Sequence, residues 1–264
     1  MLLAIDVGNT NIVFGIFDDD KIVDTFRMHT EKNKTEYVYA CEIINILMLK
    51  KIHSYKIDHA IISSVVPQLN ITLQKAVYCA FSCNAIMVCS NINTGLKICT
   101  DNPEKVGADL ICGAAAAYYK YRKALIVFDL GTATTVCAVD QNGNYLGHSI
   151  FPGVNTSLEA LASAAVQLPY IGMIDECDQI IGKNTVSSIK SGVILGMASF
   201  IDGMILRYKS QLGQDVKLVA TGGLAKVILP YCTNQVTEDE NLLLDGLNII
   251  YNYNKLSSTS CYNV

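Results

Sequence analysis

The sequence predicts an α/β protein of two duplicated lobes, and three observations lead to that expectation. Residues 3–23, LAIDVGNTNIVFGIFDDDKIV, are echoed by residues 126–146, IVFDLGTATTVCAVDQNGNYL, and a constant offset aligns Asp6 with Asp129, Gly8 with Gly131, Val13 with Val136 and Lys21 with Asn144. Each copy reads as an apolar strand, an Asp-x-Gly, a small polar loop, a second strand, a polar turn and a third strand. Behind each hairpin, helix-like and strand-like segments follow one another. The predicted division is residues 1–115 for the first lobe, 116–251 for the second and 252–264 for a frayed tail.

The elements follow in order. The opening Met-Leu-Leu-Ala-Ile-Asp has no basic segment and is broken early by Asp6, which reads as a buried first strand rather than a leader. Residues 35–50 carry apolar positions at helical spacing. Residues 60–65 read as a buried strand, 67–81 as a helix and 85–89 as another strand. From Ala108 the alanine-rich run to Lys123 favours a helix, with basic residues at its C-terminal end where the helix dipole favours them. Residues 185–210 form a long apolar helix, and 216–221 a strand ending at Gly222-Gly223. After Tyr251 the chain is rich in Asn, Ser and Tyr, a composition that frays.

Composition narrows the class. The 264 residues are 51% hydrophobic and 17% charged with a net charge of −4, so no basic stripe marks a nucleic-acid partner. No uninterrupted apolar window of eighteen residues occurs, which argues against a membrane span. The ten cysteines include no CxxC pair. Cys41, Cys89, Cys112 and Cys137 sit in apolar stretches, and Cys79 and Cys83 are spaced to share one face of a helix. With His29, His53, His59 and His148 dispersed, these thiols read as reduced core residues of a cytoplasmic protein rather than metal ligands.

The duplicated loops suit phosphate. A triphosphate needs backbone N–H groups, hydroxyls and a cation, and backbone approaches it closely only where side chains are small. Gly8-Asn9-Thr10 and Gly131-Thr132-Ala133-Thr134-Thr135 meet that need. Asp6 and Asp129 end equivalent strands, so both carboxylates are expected to face a nucleotide cleft between the lobes, where Mg²⁺ takes one or two carboxylates plus phosphate oxygens. Ala220-Thr221-Gly222-Gly223 follows a strand and could cover the base or ribose. Neither GxGxxG nor GxxxxGK[ST] is present. Spacing alone fits Asp109 equally as a functional carboxylate and as an ordinary first-turn helix residue.

The Asp6-Val7-Gly8-Asn9-Thr10 opening resembles the acetate and sugar kinase, heat-shock ATPase and actin superfamily. Residues 101–109 (DNPEKVGAD), 129–135 (DLGTATT), 151–153 (FPG), 182–185 (GKNT), Ser191-Gly192 and 220–223 (ATGG) together resemble the type III pantothenate kinase family. The resemblance implies two ribonuclease-H-like lobes, a homodimer, and transfer of the γ-phosphoryl group of ATP to the primary hydroxyl of pantothenate, the first step of coenzyme A biosynthesis. It assigns Asp109 as general base and Asp6 to Mg²⁺. Gly8, Asn9, Thr10, Gly131, Thr132 and Thr134 would line the phosphates, with Gly222 and Gly223 also on the nucleotide. Asp129 would hold a monovalent cation, potassium or ammonium. Thr100, Gly107, Ala108, Asp109, Leu110 and Thr185 would form the acceptor site, Thr185 from the partner subunit.

The chain departs from the family pattern within that acceptor set. Leu110 stands where the family usually has Arg, and Thr100 where it has Tyr. His148 and Leu130 are milder changes. Losing an Arg–carboxylate clamp weakens acceptor binding by about ten- to a hundredfold. Two alternatives therefore accompany pantothenate phosphorylation: a nucleotide-binding regulator without catalysis, and a kinase for another small alcohol.

Overall fold

The computed structural model describes residues 1–89, 91–165, 168–169, 171–172, 176–177 and 179–255. It divides into two compact units, residues 1–96, 101–119 and 242–264 in the first, and residues 97–100 and 120–241 in the second. Among the described residues there are eleven strands and seven α-helices.

The first unit is built on strands β1 (Leu2–Val7), β2 (Asn11–Asp18), β3 (Lys21–His29), β4 (His59–Ser64) and β5 (Ala85–Met87), in the order β3-β2-β1-β4-β5. β1 is antiparallel to β2 and parallel to β4. Alternation along β1 turns Leu3, Ile5 and Val7 into one core. There they meet Tyr39, Ala40, Ile43 and Leu47 of α1 (Glu36–Leu49) and Leu69, Leu73, Ala76 and Val77 of α2 (Pro67–Phe81). Each fully buried Leu or Ile contributes about 1.5–3 kcal/mol. Pro67 opens α2 at its first position, where a missing N–H costs nothing.

Leu2, Ala4 and Asp6 therefore face the other way. On that side α7 (Leu242–Asn254) packs over β1, β4 and β2, with Leu244 against Gly15, the ladder partner of Ala4. Helix α3 (Ala108–Tyr121) crosses α7 so closely that a methyl group on Gly246 would collide with the Cys112 backbone.

The second unit repeats the plan with β7 (Ala124–Leu130), β8 (Ala133–Val139), β9 (Asn144–Pro152), β10 (Val216–Thr221) and β11 (Thr237–Glu238), the last two flanking a short α6 (Ala225–Ile228). The strand order is β11-β10-β7-β8-β9, the same as in the first unit, extended at the β9 edge by β6 (Lys97–Ile98). Helices α4 (Val154–Ala164) and α5 (Thr185–Leu212) bury Val154, Leu158, Ile194, Met197, Ala198, Ile201 and Ile205 with Ile126, Phe128 and Leu130.

Five expectations change. Helix α7, placed by sequence order in the second lobe, belongs to the first unit, because its apolar residues cover the first sheet. The chain passes from second unit to first between Thr100 and Asp101, with β6 drawn into the second sheet by pairing with β9. Cys83 lies beyond the end of α2, which stops at Phe81 with Ser82 left-handed, so Cys79 and Cys83 share no helix face. Finally, α5 is long and apolar enough to cross a membrane by length and composition, because spaced polar residues lower its hydropathy less than an uninterrupted-run criterion assumes. Its Ile194, Met197, Ile201 and Ile205 are nonetheless buried in the second core. The tail expected to fray from 252 is helical through Asn254, and residues 256–264 lie outside the described residues.

Candidate active site

In the first unit three segments meet on the face that α3 and α7 cover. Asp6, the last but one residue of β1, lies beside Ser63 of β4, its register partner. The next residues turn tightly: the Gly8 N–H donates to the Asn11 carbonyl at 3.0 Å, leaving Asn9 and Thr10 exposed at the tip. Asp109 stands in the first turn of α3, where the helix dipole favours an ionised carboxylate. Its Oδ1 accepts the Leu110 N–H at 2.8 Å. A methyl group on Gly107 would strike that same oxygen, so Gly107 leaves the room Asp109 occupies. Ala108 is buried, while Leu110 reaches back to Gly107 with its Cδ1.

Cys112, one turn after Asp109, ties these groups together. Burial pushes its thiol well above the ordinary range, and the Asp6 carboxylate pushes it further; Ser63 opposes the shift and Asp109 adds to it. Both carboxylates thus lie within electrostatic reach of one neutral thiol. Ser63, fully buried beside it, opposes the shift through its hydroxyl, whose nearest polar neighbour is this thiol. Sequence reasoning passed over Ser63. The available signal was its place as a polar residue near the end of the buried strand expected over residues 60–65.

In the second unit the equivalent pole is framed by glycine. Asp129 sits on β7 opposite Thr135 of β8 and beside Thr221 of β10. A methyl group on Gly131 would lie 3.6 Å from Asp129 Oδ1; one on Gly222 would lie 2.7 Å from it and 2.6 Å from the Leu130 backbone. Gly222 has φ +98°, a conformation that favours glycine. Gly223 faces open space. Behind the loop, a methyl group on Gly153 would strike the Gly131 and Thr132 carbonyls, which gives the Phe151-Pro152-Gly153 segment its role as the loop's support.

Two of the expected contacts are relocated. Thr132 is exposed, but Thr134 is only 1% exposed, because strand alternation turns it into the core. Thr135, the last residue of the expected loop, shares the face of Asp129 instead. Thr185 is exposed at the start of α5. Its neighbours serve the helix: Asn184 accepts the Ser187 N–H at 2.9 Å, and Ser187 Oγ accepts the Asn184 N–H at 3.1 Å. Thr100 follows β6, and its Oγ1 is buried without a hydrogen-bond partner among the described residues. The structure thus brings Asp6, Gly8, Gly107 and Asp109 into one unit, and Thr100, Asp129, Gly131, Gly222 and Thr185 into the other.

The two sheets share one strand order, and the central strand of each runs into an Asp-x-Gly, the two-lobed α/β class that the resemblance to the acetate and sugar kinase, heat-shock ATPase and actin superfamily implied. Solved structures share this fold. A Campylobacter jejuni protein described as a Baf family transcriptional activator matches 96% of this chain and 99% of its own, with a TM-score of 0.60 and 19% identity. Component A of (R)-2-hydroxyglutaryl-CoA dehydratase from Acidaminococcus fermentans matches 97% and 98%, with a TM-score of 0.52 and 15% identity.

Sequence narrows the class further. The type III pantothenate kinase family model matches residues 2–207. The chain is 42% identical over 257 residues to the type III pantothenate kinase of Geotalea daltonii, covering 97% of this chain and 100% of the relative. It is 43% identical over 255 residues to that of Citrifermentans bemidjiense, with the same coverage. This chain belongs to the type III pantothenate kinase family, and its activity is ATP-dependent phosphorylation.

Proposed function

We propose that this chain transfers the γ-phosphoryl group of ATP to the primary hydroxyl of pantothenate. The observation that carries the reading is the first-unit pole, where Asp6 and Asp109 both act on Cys112 while the exposed Asn9-Thr10 tip lies three residues beyond Asp6.

Phosphoryl transfer depends mainly on positioning and charge stabilisation. Asp109 accepts the proton of the acceptor hydroxyl as its oxygen bonds the γ-phosphorus; the bond to the β-phosphate oxygen breaks and ADP leaves. The Gly8–Thr10 and Gly131–Thr132 loops offer backbone N–H groups and hydroxyls to the phosphates, with Gly222 and Gly223 also on the nucleotide. Thr134 would join only if the start of β8 moved. The donor set fits the cations the family implies. Mg²⁺ needs one or two carboxylates besides phosphate and water, which Asp6 supplies, and it would neutralise phosphate charge. Gly222, where a methyl group would strike Asp129 Oδ1 and the Leu130 backbone, keeps that carboxylate clear of side chains, and Asp129 would hold a potassium or ammonium ion. The resemblance assigns Thr100, Gly107, Ala108, Leu110 and Thr185 to the acceptor, and the buried Thr100 hydroxyl, without a hydrogen-bond partner among the described residues, is one that a ligand would satisfy. Thr185 would act across a homodimer of the cytoplasmic protein.

Asp109→Asn should lower kcat by about 10²- to 10⁴-fold in a coupled assay while ATP still binds. Equal turnover by the variant would remove Asp109 as the base.

A second reading rests on Leu110, whose apolar side chain offers no partner to an acceptor carboxylate; the exposed Lys105 is a cation in the same unit. In that reading the acceptor is a neutral alcohol related to pantothenate. Leu110→Arg should then improve KM for pantothenate about ten- to a hundredfold and leave the neutral analogue unimproved. An unchanged KM would dismiss this alternative.

A further inference from the structure

Both Asp-x-Gly loops are held from behind by a threonine to which no role has been assigned. In the first unit the Thr30 hydroxyl donates to the Gly8 carbonyl at 2.7 Å. The Thr30 N–H donates to the Thr10 carbonyl at 3.0 Å, and His29 Nδ1 lies 3.4 Å from the same oxygen. Thr30 is the first residue after β3. In the second unit the first residue after β9 is Gly153, whose N–H donates to the Thr132 carbonyl at 3.1 Å. Three residues on, the Thr156 hydroxyl donates to that same carbonyl at 2.7 Å. One device occurs twice: a backbone N–H and a threonine hydroxyl, both supplied just past the third strand, engage the carbonyls of the loop.

Peptide planarity gives this arrangement a consequence. In a trans peptide the N–H of each residue points opposite to the preceding carbonyl. Turning the Gly8 carbonyl toward Thr30 turns the Asn9 N–H the other way. Turning the Thr132 carbonyl toward Gly153 and Thr156 does the same for the Ala133 N–H. Phosphate recognition by backbone depends on such N–H groups being presented together with no carbonyl oxygen among them, since a carbonyl repels an anionic oxygen. Without the clamp the Gly8–Asn9 peptide could flip at little cost, because Gly8 tolerates either orientation.

We propose that Thr30 and Thr156 are positioning residues for phosphate binding, holding the loop carbonyls back so that the Asn9 and Ala133 N–H groups face the nucleotide. The proposal rests on the phosphate role of these loops given above. A purely structural threonine would contribute to stability alone. A positioning threonine affects the nucleotide and leaves the acceptor untouched.

The test compares Thr30→Val, which keeps the shape and the backbone N–H but loses the hydroxyl, with Thr30→Ser, which keeps the hydroxyl; Thr156→Val and Thr156→Ser repeat it in the second unit. Calorimetry with Mg-ADP and KM for ATP should worsen about tenfold in each valine variant and return to within about twofold of wild type in each serine variant, with KM for the acceptor unchanged. In the ligand-free protein, hydrogen exchange of the amides of residues 8–11 should accelerate in Thr30→Val and not in Thr30→Ser. If wild type and valine variants bind nucleotide equally, the clamp proposal is overturned and the site reading stands. If the wild type binds no nucleotide, the site reading falls, and exchange still judges the clamp: equal rates in the valine variant and wild type would refute it.

Discussion

The two units carry the same five-strand order, yet their poles are finished by different means. Around Asp6 the finish comes from helices: α3 brings Asp109 and Cys112, and α7 holds α3 in place through the Gly246 contact. Around Asp129 it comes from backbone, with Gly131 and Gly222 leaving the carboxylate room and Gly153 supporting the loop from behind. Duplication therefore fixes where each Asp-x-Gly loop stands, and the residues added to each copy set the surroundings of its carboxylate. A pole with two carboxylates in reach of one another's surroundings suits proton transfer. A glycine-lined pole with a single carboxylate suits an ion and phosphate oxygens.

That contrast can be broken first at the helix crossing. Gly246→Ala sets a methyl group against the Cys112 backbone, which has no flexible side-chain end to yield. Overpacking of this kind costs about 1–3 kcal/mol, occasionally more. At this chain length 3 kcal/mol corresponds to a fall of about 6–12 °C in Tm. Scanning calorimetry should show that fall, and turnover should drop with it because α3 carries Asp109. A variant melting within about a degree of wild type would mean the crossing is soft.

A smaller effect is expected from glycine in the other unit. Gly222→Ala adds strain of about 1–3 kcal/mol at positive φ and crowds Asp129. Gly8→Ala meets only the Asn11 carbonyl, at 3.0 Å, with no positive φ, so its cost should be the lesser. Paired urea titrations should rank Gly222→Ala as more destabilising. Potassium should protect wild type against urea more than it protects Gly222→Ala; equal protection would separate the ion from Asp129.

Much of this architecture was legible in the sequence, for physical reasons that can be named. The echo between residues 3–23 and 126–146 exposed the duplication because each hairpin is a local structure written in contiguous residues. Helix 67–81 was plain because it buries one stripe, Leu69, Leu73, Ala76 and Val77, and the helix expected from Ala108 to Lys123, observed to Tyr121, because its alanines favour helix wherever it packs. What stayed hidden depends on distant partners. Nothing local to 242–254 says which sheet its apolar face will cover, so α7 was placed by chain order. Thr134 looked available because the loop's length and the register of β8, which decide inward or outward, are not separately encoded. Ser63 and Thr30 were missed for a related reason: each becomes informative only when register sets it against a loop or carboxylate from another strand.

The smallest predicted effect concerns how the third strand is tethered in each unit. In the first, Lys50 just past α1 donates to Asp24 of β3 at 2.7 Å, with side chains 29% and 33% exposed. In the second, Ser149 of β9 and Tyr208 of α5 share a neutral hydrogen bond of 2.9 Å. The Lys50 hydrogen bond holds the Asp24 carboxyl below its ordinary 3.8. A depressed folded-state value means the pair stabilises the fold above the unfolded pKa, and that contribution is lost as pH falls through the folded value. Partly exposed pairs are worth about 0–1 kcal/mol. Lys50→Met should therefore lose a few tenths of a kcal/mol relative to wild type at pH 7 and at pH 5, and nothing once Asp24 is protonated well below 3.8. Tyr208→Phe should cost the same across that range, because neither partner in its bond changes charge there. Urea unfolding of both variants at three pH values checks the contrast. A Lys50→Met deficit that persists in acid would show that the lysine acts through packing of its methylene stem rather than through charge.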